Sequence, residues 1–203
     1  MNRSSRPTPC NPASGTPCRN EHGDVLASYA DVVDAYINDH RREAKSLLCF
    51  YRSFQSLEQA IEYAALCKLP SGDRHPHHRR IVKPALPEAE RRLHTCAAEL
   101  QKCKSFAELH ALVRERIGGV PGIGALTVYD IAHHLGAFLK LEPEAVYLHA
   151  GTAAGAKALG HHHTAETLAL ADLPPEFSRL RPYEIEDCLC IYKDDLEALR
   201  CKT

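Results

Sequence analysis

The chain has no long apolar run, almost no net charge and no CxxC pair of cysteines. Each absence excludes something. Among its 203 residues no stretch approaches the roughly 18 apolar residues of a membrane span, so no membrane partner is expected. The formal net charge is −1, so overall charge predicts no polyanionic partner, and any nucleic-acid surface must be a local patch. Nine cysteines are present, yet no two of them form a CxxC. Cys188 and Cys190 are two apart, which points them away from each other on a helix, and Cys96 and Cys103 are seven apart and could share a helix face. The odd count suits reduced thiols acting as small apolar residues in a cytosolic protein. They also fall short of the tight four-cysteine cluster that holds iron–sulfur. The opening MNRSSRPTPCNPASGTPCRNEHG lacks the apolar centre of a secretory signal. Its Pro, Ser, Asn and Gly content reads as a disordered tail over residues 1–22, and a cytoplasmic location is the expectation.

What the sequence does have is helical periodicity. From Asp24 on, Val25, Leu26, Tyr29, Val32, Val33, Tyr36 and Ile37 fall on one stripe, and AKSLLCFYRSF continues it. Ser56 caps LEQAIEYAALC, and EAERRLHTCAAELQKC is amphipathic. Ser105 and Glu108 make a capping box at the head of FAELHALVRERI, which Gly118 and Gly119 bring to a stop. ALTVYDIAHHLGAFLKL follows, then PEAVYLHA with Pro143 in its first turn, AAGAKALG capped by Thr152, TAETLALADL and PYEIEDCLCIYKDDLEAL. No alternating strand stands out, AVYLHA being the nearest. The expectation is an all-α, multi-helix globular domain over 23–203, with nine or so helices.

Residues 118–132, GGVPGIGALTVYDIA, carry the strongest local signal. One helix ends at Ile117 and the next begins near Gly124, so the pair must form a compact helical hairpin at about 106–139. Gly122 and Gly124 open backbone angles closed to other residues and remove Cβ atoms from the turn. The second helix then offers free N–H groups and the positive pole of its dipole to an anion, with phosphate the natural guest.

Val120, Pro121, Gly122, Ile123 and Gly124 resemble the apolar-Pro-Gly-Ile/Val-Gly pattern of the helix-hairpin-helix superfamily. That resemblance implies sequence-independent contact with the phosphate backbone of duplex DNA, through Pro121, Gly122, Ile123, Gly124, Ala125 and Thr127. Val128 stands where a small alanine is usual in the motif. The many-helix layout and the late hairpin are also similar to the endonuclease-III-type DNA glycosylase scaffold, which extends the expectation to damaged or distorted duplex and a nucleoid-associated location. The chemistry of that scaffold is missing. Leu126 occupies the place of its lysine nucleophile, Tyr147 that of its aspartate in VYLHAGT, and its cysteine cluster is absent. Tyr147, His149 and Glu144 remain as catalytic groups should a rearranged glycosylase or lyase be present. A helical protein-interaction module with a purely structural hairpin is the other open reading, and the balance leans towards holding DNA over cutting it.

Three further stretches bear on this. KLPSGDRHPHHRRIVK, residues 68–83, gathers Arg74, Arg79, Arg80 and Lys83 with His75, His77 and His78. It reads equally as a phosphate-neutralising loop and as a solvated one. The small residues of YLHAGTAAGAKALG let a helix start approach either a phosphate, assisted by Thr152 and Lys157, or another helix, which is the commoner cause. Asp130 with His134, and the run His161 to His163, match no zinc spacing, so neither a metal nor a cofactor is expected. The acids of the last segment, Glu184, Glu186, Asp187, Asp194, Asp195 and Glu197, read as a solvated face opposite Ile185, Leu189, Tyr192 and Leu196, an apolar side that could also meet a protein partner.

Overall fold

The computed structural model describes residues 25–74, 78, 81, 84–161 and 165–201. The tail expected at 1–22, together with His75, His77, Arg79, Arg80, Lys83, His162 and His163, lies outside the described residues. Those described are mostly helical: α1 Tyr29–Asp39, α2 Arg41–Arg52, α3 Leu57–Ala65, α4 Ala85–Thr95, α5 Ala97–Leu100, α6 Phe106–Ile117, α7 Ala125–Leu139, α8 Ala150–Ala158, α9 Pro182–Ile191 and α10 Lys193–Arg200. None is long and apolar enough to cross a membrane. The chain gathers into two compact units: residues 43–144, and residues up to 42 together with those from 145 on.

In the 43–144 unit, α7 is the central element. Its buried residues include Val128, Tyr129, Ile131, Ala132, Leu135 and Ala137, and it packs on α6 and α3, while α4 packs on both α3 and α6. Ser56 Oγ accepts from Gln59 N at the head of α3, and Ser105 Oγ accepts from Glu108 N at the head of α6. Glu108 completes its box one residue early, accepting from Lys104 N at 2.8 Å. An aromatic cluster of Phe50, Phe54 and Tyr63 joins α2 to α3. The Tyr51 ring stacks on His134 at 4.2 Å between centroids, and its hydroxyl donates to Lys68 O at 2.9 Å.

The other unit holds α1, α8, α9 and α10 around a core of Val32, Val33, Tyr36, Val146, Phe177, Ile185, Leu189, Leu196 and Leu199. Three expectations fail here. PEAVYLHA and TAETLALADL do not form helices. Val146–Tyr147 (β1) instead pairs antiparallel with Thr167–Leu168 (β2), and Leu170–Asp172 is a short 3-10 turn. The β-branched Val146 and Thr167 fit that pairing. The last segment is broken at Tyr192 into α9 and α10. The acids at its start are not a solvated face: Glu184 is 2% and Glu186 is 5% exposed. The apolar side is covered within the same unit, since Ile185, Leu189, Tyr192 and Leu196 are all core residues.

The small-residue stripe of α8 is a packing surface against α9. A Cβ on Gly155 would stand 2.2 Å from Leu189 O, and one on Gly151 would stand 2.4 Å from Cys190 Sγ. Gly155→Ala gains about 1 kcal/mol of helix propensity but forces a methyl into a backbone carbonyl, an overpacking cost at or beyond the upper end of roughly 1–3 kcal/mol. Denaturant unfolding of this variant should show a net loss of about 2 kcal/mol.

In the 43–144 unit His133 sits beside Tyr129 and Phe106, and burial pushes its pKa down from the usual 6.5 to about 4, against the pull of Asp130 and Glu142. Between those two values the unfolded chain binds the proton and the folded chain does not, so stability falls as pH drops through 6.5 towards 4. His133→Asn should flatten the fall of melting temperature over that window relative to the wild type.

Candidate functional site

The connection between α6 and α7 is built from two successive turns. Val120 N donates to Ile117 O at 2.9 Å, and Ile123 N donates to Val120 O at 3.0 Å. Pro121 presets the second position of the second turn, and Gly122, with φ +95, takes the third, which is the sequence rule of a type II turn. Val120 and Ile123 are 4% and 8% exposed. They pin the turn inward, while Gly118, Gly119, Pro121, Gly122, Gly124 and Ala125 face solvent.

Gly124 departs from the sequence expectation in an informative way. It caps α7 with φ −104 and ψ 176, an extended conformation open to any residue, so only Gly122 has a backbone reason to be glycine. Nothing lies within 4 Å of where a Cβ on Gly124 would sit. Neither strain nor crowding inside the protein explains the missing side chain. No side chain caps α7, and its first turn carries no acid, whereas the first turns of α1, α3, α4 and α6 each contain one.

The remaining residues singled out from the sequence are placed as follows. Thr127, in the first turn of α7, is 5% exposed and turns its hydroxyl inward, 3.5 Å from His78 Nδ1. On the other ring nitrogen, His78 Nε2 donates to Asp130 Oδ2 at 2.6 Å. Hydroxyl, imidazole and carboxylate thus stand in the order that activates a nucleophile. With His78 at 2% exposure, however, the hydroxyl is closed off from a substrate, and the arrangement is one of support. Asp130 pairs with His78 while His134 stacks on Tyr51, so the two do not act together as ligands. No group of metal-ligating side chains occurs among the described residues. Arg74 is half-buried, with Nη1 donating to Ile81 O at 3.4 Å.

In the other unit Lys157 is exposed, and Thr152 is fully buried. Thr152 Oγ1 donates to Glu186 Oε1 at 2.9 Å and lies 2.8 Å from His149 Nε2, while His149 Nε2 also bonds Glu186 Oε1 directly. His149, Thr152 and Glu186 therefore satisfy one another inside the unit. Tyr147 is half-buried in β1, and Glu144 is exposed at the end of the 43–144 unit. Sequence reasoning missed both Glu186 and the His78–Asp130 pair. For Glu186 a signal existed: Tyr183 and Leu189 flank it three residues away on either side, on the apolar arc of α9. His78 is one of several histidines in a polar stretch, with nothing local to set it apart.

No family model, no curated protein and no solved structure matches the chain.

Removing the Glu186 side chain takes a carboxylate acceptor away from a buried imidazole and hydroxyl. Glu186→Ala should lower unfolding free energy by about 2–4 kcal/mol, whereas Glu197→Ala, on an exposed ion pair with Arg200, should change it by less than about 1 kcal/mol.

Proposed function

We propose that the α6–α7 hairpin binds the phosphate backbone of duplex DNA without reading its base sequence, in the manner of the helix-hairpin-helix proteins that its turn resembles. The observation that carries this reading is Gly124: an exposed helix cap whose backbone needs no glycine and whose missing side chain leaves open space. Ahead of it, the first turn of α7 has neither a capping side chain nor an acid, so its N–H groups and the positive pole of the dipole are left for an outside anion. Pro121, Gly122 and Ala125 share the exposure, and buried Val120 and Ile123 hold them at the surface. A purely structural turn accounts for Gly122 through its positive φ, and for glycine at 124 only through its tolerance as a helix cap, where a capping side chain would serve the helix as well or better. Damaged or distorted duplex is the form of DNA that the similarity to the glycosylase scaffold suggests. Catalysis draws less support: His149 is engaged with Glu186 and Thr152, and Leu126 stands where that scaffold carries its lysine.

Gly124→Asp separates the readings. Aspartate is a strong helix cap and suits the dipole, so the variant should be as stable as the wild type or more stable by about 1 kcal/mol. The same carboxylate occupies the N–H groups and repels phosphate, so low-salt affinity for duplex should fall at least tenfold, from a wild-type affinity that itself declines steeply with salt. Wild-type protein that fails to bind duplex at low salt, or binds with no salt dependence, overturns the DNA reading and leaves a helical interaction module.

A further inference from the structure

In the unit that does not hold the hairpin, a thiol and an imidazole meet at one glycine. A Cβ on Gly151, in the first turn of α8, would stand 2.4 Å from Cys190 Sγ and 3.7 Å from His149 Cε1. Cys190 belongs to the last turn of α9, one turn beyond Glu186, and is half-buried. His149 is the N-cap of α8 and is 6% exposed. Its Nε2 bonds the Glu186 carboxylate and stands 2.8 Å from Thr152 Oγ1. An ionised carboxylate only accepts, so the ring proton is held on Nε2 and Nδ1 is the basic nitrogen. Cysteine, histidine and glutamate thus supply a nucleophile, a base and a group that orients the base.

The backbone adds to this arrangement. No side chain caps α8 and its first turn carries no acid, so the thiol lies against the positive pole of that helix. A thiol at a helix N-terminus beside a histidine is in the setting that favours thiolate. The other charges around it are paired. Lys193 Nζ donates to Cys190 O at 3.5 Å and stands 3.9 Å from Asp194 Oδ2, while Asp187 accepts from Tyr36 of α1. The glycine answers to the sulfur: its φ is not positive, and the nearest obstacle to a Cβ is the Cys190 side chain itself. At Gly155 the obstacle is instead the Leu189 carbonyl.

We propose that Cys190 is a nucleophilic thiol for small electrophiles of the hydroperoxide class, with His149 as its base and Glu186 as a positioning residue. The thiol gives its proton to His149. Sulfur then attacks one peroxide oxygen, an S–O bond forms as the O–O bond breaks, and the departing hydroxide or alkoxide takes the proton back. Sulfur loses two electrons and becomes a sulfenic acid, and the peroxide is reduced to water or an alcohol. The half-buried thiol admits a small electrophile and excludes a bulky one. The inference does not depend on the DNA reading.

The test treats the full chain with iodoacetamide and reads alkylation of each cysteine by peptide mass spectrometry. At pH 6 Cys190 should react about tenfold faster than the exposed Cys49 and Cys201, and its lead should shrink towards pH 8.5, where ordinary thiols also ionise. Under hydrogen peroxide, Cys190 should be the first of the three to be trapped as a sulfenic acid by dimedone. Glu186→Gln and His149→Gln should slow Cys190 several-fold at pH 6 without changing Cys49. Gly151→Ala, which pushes the sulfur off the helix end, should do the same. Opening of the fold would expose the thiol and speed its alkylation, so a fall in rate reports lost activation and not misfolding. Cys190 that reacts no faster than Cys49 at pH 6 overturns the proposal. So does a Cys190 rate that is unchanged or raised in the Glu186→Gln and His149→Gln variants.

Discussion

Helix α7 has to be buried along most of its length while its cap Gly124 and its first residue Ala125 stay in water. Nine of its 15 residues are buried, and α3 and α6 both pack on it. A helix so enclosed cannot satisfy the N–H groups of its first turn from inside the protein without a capping side chain, and none caps it. The turn before it resolves the conflict by geometry. Val120 and Ile123 supply the apolar anchors, Gly122 supplies the positive φ, and the chain enters the helix from the surface. The same demand for burial explains Gly136, where a Cβ would meet Leu141 O at 2.5 Å and the Phe106 ring at 3.2 Å.

Charge inside the second unit follows a related logic. Glu184 is buried against Arg41, whose Nε and Nη2 approach its two carboxylate oxygens at 2.9 and 3.0 Å. Tyr36 donates to Asp187 at 3.1 Å, and burial holds its hydroxyl above the ordinary tyrosine range. Such groups are costly to bury alone and acceptable in pairs. Their partners come from α1, the start of α2 and the segment that opens α8, so α9 is held by polar as well as apolar contacts. Buried thiols complete the interior: Cys188 and Cys67 are pushed above the usual thiol range by desolvation, Cys67 to about 12. Both act as apolar groups, as the odd count of cysteines suggests.

Where a helix carried its own signals, the sequence was easy to read. Ser56 and Ser105 cap where expected, and the hairpin's outer bounds at 106 and 139 match α6 and α7. The small stripe of α8 proved to be a close helix contact, the commoner of its two meanings. What could not be read depended on distant partners. The pairing of Val146–Tyr147 with Thr167–Leu168 is a two-residue ladder, too short to leave an alternating pattern. Glu184 and Glu186 look like surface acids until Arg41 and His149 are brought to them. His78 finds Asp130 across 52 residues. The absence of a side chain at Gly124 was visible, but its meaning was not: only the backbone angles separate a glycine needed for a turn from one that the fold could replace.

One unit of this protein is assembled from both sides of the other in sequence. Arg41 meets Glu184 across 143 residues, and Tyr36 meets Asp187 across 151. At translation rates of roughly 5–20 residues per second, α1 emerges about 7–30 s before α9. During that interval Val32, Val33 and Tyr36 have no core to enter, while the whole 43–144 segment is already available to fold. The second unit thus closes last and pays the larger loop-closure entropy. On the ribosome, the window for aggregation or chaperone capture belongs to the apolar stripe of α1.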